Sequence, residues 1–242
     1  MSAQVLAVLN DPDSGLGRYE AWLTQAGLEV TLQPGSGGLP PNLSGYAGLV
    51  MLGGGLMPDD DAKAPWLPDE RRLAEAALSQ EVPVLGICLG GQLLAMVAGG
   101  RVRANHGPIE RGATQIHLTE AAEDDDLFGQ APRRFYAIEN HRDAITALPP
   151  EAVHLAYSRQ CPNQAFRLGS AAWGLQFHPE ASAENVARWD PAKVRADGFD
   201  PDDLLEFARS VEPDSARTCQ QIAAAFAGAV RHYAGLPAST SA

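Results

Sequence analysis

Three side chains in this sequence have the types and spacing of a nucleophile, its base and an orienting acid. Cys88 stands in Gly86-Ile87-Cys88-Leu89-Gly90. Small residues two before and two after a nucleophile permit a sharp strand-to-helix turn that lifts its side chain out of a sheet, as in serine nucleophile elbows. The run before it, residues 82–87, is short and apolar, as a buried strand would be. The run after it, residues 92–97, holds good helix formers and stops at Gly99-Gly100. A thiol at such a joint faces the first N–H groups of a helix, whose partial positive charge favours the thiolate. A nucleophilic cysteine needs a base, and the base needs an orienter. His178 and Glu180 offer both in Gln176-Phe177-His178-Pro179-Glu180. Pro179 disfavours a helical His178, and in an extended segment positions two apart share a side. The same residues also fit a plainer picture, a buried cysteine closing a core strand and a histidine at a strand end.

An oxyanion needs preorganised donors. The N–H of Leu89, first in the expected helix, is one. Gly53-Gly54-Gly55 follows an apolar strand, so it lies at the carboxyl edge where open α/β sheets bind ligands. It reads as a source of further donors or as an ordinary glycine turn. No phosphate-binding Gly-x-x-x-x-Gly-Lys-Ser/Thr pattern occurs. His106, His117, His154 and His232 lack ligand spacing. His141, in Glu139-Asn140-His141-Arg142-Asp143, falls on an expected loop, where it lines a pocket or caps a turn. Cys88, Cys161 and Cys219 are odd in number and widely spaced, which is neither a disulfide framework nor a zinc pattern. Cys161, before Pro162-Asn163, reads as an exposed turn residue. No metal and no cofactor is expected.

These residues need a frame. Strands are expected at 5–9, 28–32, 47–52 and 82–87, helices at 18–25 and 69–78, and a Gly/Pro/Ser-rich surface loop at 34–45. Such alternation signals a parallel sheet covered on both faces. After Gly100 the rhythm changes. Short runs at 114–118, 134–138, 153–158 and 164–168 suggest antiparallel additions at the sheet edge, and 172–177 another apolar strand. The acidic run 123–126 reads as a solvated turn. From Ala183 on the pattern is helical. Asp200-Pro201-Asp202-Asp203 is a helix start, and Cys219, Ile222, Ala223, Phe226, Val230 and Tyr233 recur as a core-facing stripe. The expectation is one domain over 1–236, with a catalytic α/β core at 1–182, a helical extension at 183–236 and a disordered tail at 237–242.

Composition narrows the function. The chain has 242 residues, 45% apolar, with formal charge −12. That suffices for a sizeable core, and an acidic surface repels phosphate backbones, so nucleic acid is not an expected partner. No basic leader and no apolar run of membrane-spanning length is present, so no membrane partner and a cytoplasmic location are expected.

The combination of Gly-Ile-Cys-Leu-Gly-Gly-Gln with Gln-Phe-His-Pro-Glu, the two centred 90 residues apart, resembles the class I, triad-type glutamine amidotransferases. It is most similar to the free-standing group related to the amidotransferase domain of GMP synthase. The resemblance implies an open, mostly parallel twisted sheet flanked by helices, of flavodoxin-like type. It implies Cys88 as nucleophile on the γ-carboxamide of glutamine, His178 as proton carrier and Glu180 as its orienter. Leu89 and Gly54 would form the oxyanion hole. Gly53, Gln92, Asn140, His141, Arg142 and Asp143 would lie around the bound glutamine. Hydrolysis through a thioester to glutamate and ammonia would follow, with a separate synthetase as possible acceptor, because residues 181–242 are too few for one. Gly91 replaces a larger residue of many members and is expected to open the pocket. That leaves hydrolysis of other γ-glutamyl compounds as an alternative, and an inactive binding module as a third reading.

Overall fold

The computed structural model describes residues 2–237. Its strands, in chain order, are β1 (Ala3–Leu9), β2 (Leu28–Pro34), β3 (Gly48–Met51), β4 (Val84–Ile87), β5 (Arg101–Arg103), β6 (Glu110–Leu118), β7 (Arg134–His141), β8 (Ala144–Ala147), β9 (Val153–Tyr157), β10 (Ala165–Leu168) and β11 (Ala172–Leu175). The helices are α1 (Arg18–Gln25), α2 (Leu67–Ser79), α3 (Leu89–Val97), α4 (Ala183–Ala187), α5 (Pro191–Ala196) and α6 (Pro201–Tyr233). Nine strands form one sheet in the order β2-β1-β3-β4-β11-β10-β9-β6-β7. The first five run parallel. The last four continue antiparallel. The sheet is thus the expected parallel one with antiparallel additions.

Period-two alternation explains the layers. Val5 and Ala7 of β1 face Tyr19 and Leu23 of α1 and Ile222, Phe226 and Val230 of α6. Leu6 and Val8 face the other way, toward Leu73 and Ala77 of α2 and Leu93 and Leu94 of α3. A strand covered on both faces must be apolar at successive positions, and β1, β3 and β4 are. Burying a Leu, Ile or Phe side chain contributes about 1.5–3 kcal/mol, so α6 belongs to the core it covers. It starts where the sequence places it: the Asp200 carboxylate accepts from the Asp202 and Asp203 N–H groups.

Several expectations are corrected. Tyr233 does not join the buried stripe; it is 43% exposed on the last turn of α6. Asp125 is not solvated with its acidic neighbours: it is buried, caps the Leu127 and Phe128 N–H groups, and receives Arg167 and the Trp173 indole. Residues 139–141 are not loop but the end of β7, paired with β6 from Glu110 on. The ribbon of β5 and β8 is additional; Arg-Val-Arg has no apolar run to announce a strand. The tail at 238–242 lies outside the described residues.

One feature of the topology positions the site. The antiparallel half curls back, so that Ile138 of β7 bridges His178, just past the end of β11. The His178 N–H donates to the Ile138 carbonyl at 2.8 Å.

Candidate active site

Cys88 sits between β4 and α3 with φ 52° and ψ −108°. That is an unfavourable backbone for a residue with a Cβ, costing about 1–3 kcal/mol, and such strain persists only where the surroundings impose it. They do here. The Cys88 N–H donates to the Leu175 carbonyl at 2.8 Å, and its own carbonyl accepts from Gln92 N–H at 2.9 Å. A side chain at Gly90 would place its Cβ 2.1 Å from the Met51 carbonyl oxygen, so α3 can lie this close to β3 only with glycine there. The sulfur's residue is buried at 7% exposure. It stands at the first turn of α3, whose free N–H groups point toward it.

His178 and Glu180 meet as two-residue spacing predicts. The Nδ1 of His178 and Oε1 of Glu180 are 2.7 Å apart, and both residues are buried. Burial alone would pull the His178 imidazole down. The Glu180 carboxylate, and then Cys88 beside it, outweigh burial and hold it well above its ordinary value. The segment is clamped from behind: the Arg18 N–H donates to the Glu180 carbonyl at 2.9 Å, and the Arg18 guanidinium bonds the Ala181 carbonyl and Glu212.

Gly53 lies over this pair. A Cβ there would be 2.9 Å from His178 Cε1 and 3.6 Å from the Cys88 Cβ. Gly54 packs on Asn10 and Leu89. Asn10 braces the loop by donating to the Leu52 carbonyl and to Glu70, and by accepting from the Trp66 indole. Glu70 is fully buried, and burial raises its carboxyl to about 8.

Gln92 is buried on α3. Its Nε2 donates to the Asp143 carbonyl at 3.2 Å and to Gln176 Oε1 at 3.0 Å. Its Oε1 is therefore the atom it has to offer a ligand, as an acceptor of an N–H. The expected residues on 140–143 separate. Asn140 is exposed on the outer side of β7. His141 is buried; its Nδ1 meets the Asp143 carbonyl at 3.0 Å and its Nε2 meets Glu110 at 3.1 Å. Arg142 turns away to Asp197, and the Asp143 carboxylate accepts from the Asn105 N–H. What this segment turns toward Gln92 is backbone, the Asp143 carbonyl.

Around His141 lies a buried polar cluster that sequence reasoning missed. Glu110 accepts from Ser158 Oγ at 2.6 Å, Gln164 Nε2 at 2.8 Å and His141. Glu139 stands 3.5 Å from His141 Nε2, and burial raises it to about 8. Burial lowers the His141 imidazole, but Glu139, the Glu110 hydrogen bond and Cys88 raise it to about 9. Carboxylate, imidazole and thiol atoms of Glu110, His141 and Cys161 lie within 4.8 Å of one another, a spacing compatible with a metal ion. Glu110 accepts from three donors, whereas both carboxylate oxygens of Glu139 and Oε1 of Gln164 are buried without a hydrogen-bond partner. Cys161 is buried, not exposed as its turn context suggested, and its thiol is pushed up to about 12. Gln176 is the other missed residue; its Nε2 is 3.6 Å from Cys88 Sγ. The signal for it was available, since it lies two positions before His178 in an extended segment. Nothing comparable marked Glu110 and Glu139, whose partners come from several elements.

Gly91 does not open the pocket. A Cβ there would lie 2.5 Å from the Leu175 carbonyl oxygen, so the position faces the backbone of β11.

Comparison with known proteins places this geometry. The family model for the class-I glutamine amidotransferases matches residues 21–187. The chain is 37% identical over 161 residues to one subunit of the glutamine-hydrolyzing GMP synthase of Ignicoccus hospitalis, covering 65% of this chain and 79% of that one. With the corresponding GMP synthase subunit of Pyrococcus abyssi it shares 39% over 102 residues, 42% of this chain and 52% of the relative, about half its length. The crystal structure of a glutamine amidotransferase from Thermotoga maritima superposes with a TM-score of 0.84 at 29% identity, covering 94% of this chain and 99% of that one. A glutamine amido transferase from Methylobacillus flagellatus shares the fold, with a TM-score of 0.81 at 24% identity over 99% of this chain and 97% of that one.

Proposed function

This chain belongs to the class-I glutamine amidotransferase family, and from that premise we propose that Cys88, His178 and Glu180 hydrolyse the γ-carboxamide of glutamine. The observation that carries the assignment is the meeting of a strained elbow cysteine with a carboxylate-held imidazole under the Gly53-Gly54 loop. Cys88 Sγ attacks the amide carbon as its proton passes to His178. The oxygen of the tetrahedral intermediate takes its charge against the N–H groups of Leu89 and Gly54. The C–N bond breaks, and His178 returns the proton to the leaving nitrogen, which departs as ammonia. A water then attacks the thioester carbon and gives its proton to His178. The C–S bond breaks, and glutamate leaves. Glu180 fixes which nitrogen of His178 carries the proton and supports the imidazolium.

Gly53, Gln92 and the backbone at Asp143 lie around the amino-acid head of the substrate in this reading, Gln92 through Oε1. The Ignicoccus and Pyrococcus relatives are each named as one subunit of a GMP synthase, which supports passing the ammonia to a separate synthetase chain, in the cytoplasm. Among the described residues no helix is long and apolar enough to cross a membrane. The broader γ-glutamyl alternative rested on space at Gly91, which is filled by β11.

The test is glutamate release by Cys88→Ala. It should fall about 10⁴-fold or more, as removal of a triad nucleophile does. Release at the unchanged rate would refute the assignment. The acceptor is tested by adding a separately expressed synthetase and measuring transfer of ¹⁵N from amide-labelled glutamine into its product.

A further inference from the structure

The sulfur of Cys88 has a neighbour that the triad does not account for. Gln176 Nε2 stands 3.6 Å from it, within reach of an N–H···S hydrogen bond. Gln176 is fully buried, so its amide cannot exchange partners with water. Its Oε1 accepts from Gln92 Nε2, which also donates to the Asp143 carbonyl. That carbonyl faces His141 Nδ1, whose other nitrogen meets Glu110. The chain from the sulfur to Glu110 is continuous, buried at both ends and half-buried at the Asp143 carbonyl.

We propose that Gln176 is a further catalytic residue, donating its Nε2–H to the Cys88 sulfur, with Gln92, the Asp143 carbonyl, His141 and Glu110 as the positioning chain that fixes the amide. This deepens the reading of Cys88 as nucleophile and rests on it. The direction is set by the accepting end. Because Gln176 Oε1 is occupied by a Gln92 N–H, the amide turns its NH₂ toward the sulfur. A neutral donor stabilises a thiolate more than a thiol. It therefore acts twice: when the thiol gives its proton to His178, and when the thioester C–S bond breaks and the sulfur leaves with the electron pair. It carries no proton itself. The chain also joins the nucleophile to the segment beside the substrate head, since Gln92 touches both ends.

The charged and titratable groups facing this sulfur are His178, with Glu180 behind it, and His141, with Glu110 and Glu139 behind it. Replacing neutral Gln176 leaves all of them in place. Gln176→Met keeps the length of the side chain and removes the donor. The pH–rate profile of Cys88 alkylation by iodoacetamide, read by mass spectrometry on the folded protein, should move toward alkaline pH by about one unit, the size of one modest hydrogen bond. kcat for glutamine should fall about tenfold at neutral pH with KM little changed. Asn163→Ala removes a half-buried hydrogen bond to the Ile145 carbonyl that does not touch the sulfur; it should lower Tm without moving the profile. If Gln176→Met does not fold, Gln176→Leu, which also lacks the donor, should move the profile in the same direction. An unmoved profile in a folded variant overturns the proposal, even if Cys88→Ala is inert. Glutamate release by Cys88→Ala at the wild-type rate would instead remove the reading beneath it.

Discussion

Two histidine–carboxylate groups lie at strand ends, His178 just past β11 and His141 at the end of β7, and they differ in what is left over. His178 spends Nδ1 on Glu180, and its ring stands beside Cys88 and Gly53. His141 spends both nitrogens inside the protein, on the Asp143 carbonyl and on Glu110, with Glu139 next to it. Both imidazoles are raised by carboxylates against the pull of burial. Electrostatically they are alike. Only His178 keeps a nitrogen for a reacting group, so a raised imidazole marks a proton carrier only when its geometry leaves one nitrogen free.

The largest effect expected from this contrast is on turnover. His178→Ala should lower kcat for glutamine hydrolysis by about 10⁴-fold or more, with a lowered Tm because Glu180 is left buried without its partner. Steady-state glutamate assays beside thermal melts measure both. A loss of only a few-fold would make the two histidines equivalent and break the comparison.

The cysteines give the next largest. Burial pushes Cys161 and Cys219 up to about 12. In the folded protein at neutral pH both should alkylate at least about 100-fold more slowly than Cys88, because thiolate is the reactive form. In denaturant the three should converge. Peptide mapping after timed iodoacetamide quenches reads this, and modification of Cys161 ahead of Cys88 in the native protein would contradict it.

The enclosed cluster should register as stability. Glu110→Ala strands His141, Gln164 and Ser158 without their acceptor and should cost about 3–5 kcal/mol, the range for removing one partner of a buried ion pair. Urea denaturation gives the value. A cost below about 1 kcal/mol would mean that the cluster is not the strut its hydrogen bonds suggest.

The smallest effect is a slope with pH at Glu70, which braces the glycine loop through Asn10. Its carboxyl is raised by burial to about 8 in the fold, against an ordinary value of 4.5 in the unfolded chain. Between these values the unfolded state binds fewer protons, so stability contributed by Glu70 falls as pH rises through that window. Glu70→Gln cannot ionise and should remove the slope, gaining on the order of 3 kcal/mol over wild type at pH 8 relative to pH 5. Denaturation midpoints at the two pH values decide it, and parallel behaviour of both proteins would show that Glu70 is not held neutral.

Legibility in the sequence follows the range of the interactions. The helix start at Asp200, the elbow around Cys88 and the pairing of His178 with Glu180 were readable because each is set within a few residues of chain. Alternation placed β1, β3 and β4 between two helical layers, since a strand covered on both faces leaves a continuous apolar run. Other features left no local trace. Asp125 and Cys161 looked exposed because acidic runs and turn residues usually are; Arg167 with Trp173 enclose the first, and Glu110 with His141 lie against the second, only after strands distant in sequence have paired. Residues 139–141 looked like loop because their polar side chains break the strand pattern, and the polarity of Glu139 and His141 has a use only inside the cluster with Glu110.

By itself the sequence determined the chemistry on offer: a nucleophile at a sharp turn, a base and an acid at strand spacing, and the glycines that let backbone approach them. The tertiary structure decided which groups face which. The curl of the antiparallel half set His178 against Ile138, and the parallel pairing of β11 with β4 brought Gln176 to the sulfur of Cys88. A hydrogen bond of about 3 Å depends on the sum of many small turns along the chain, and no local pattern carries that sum.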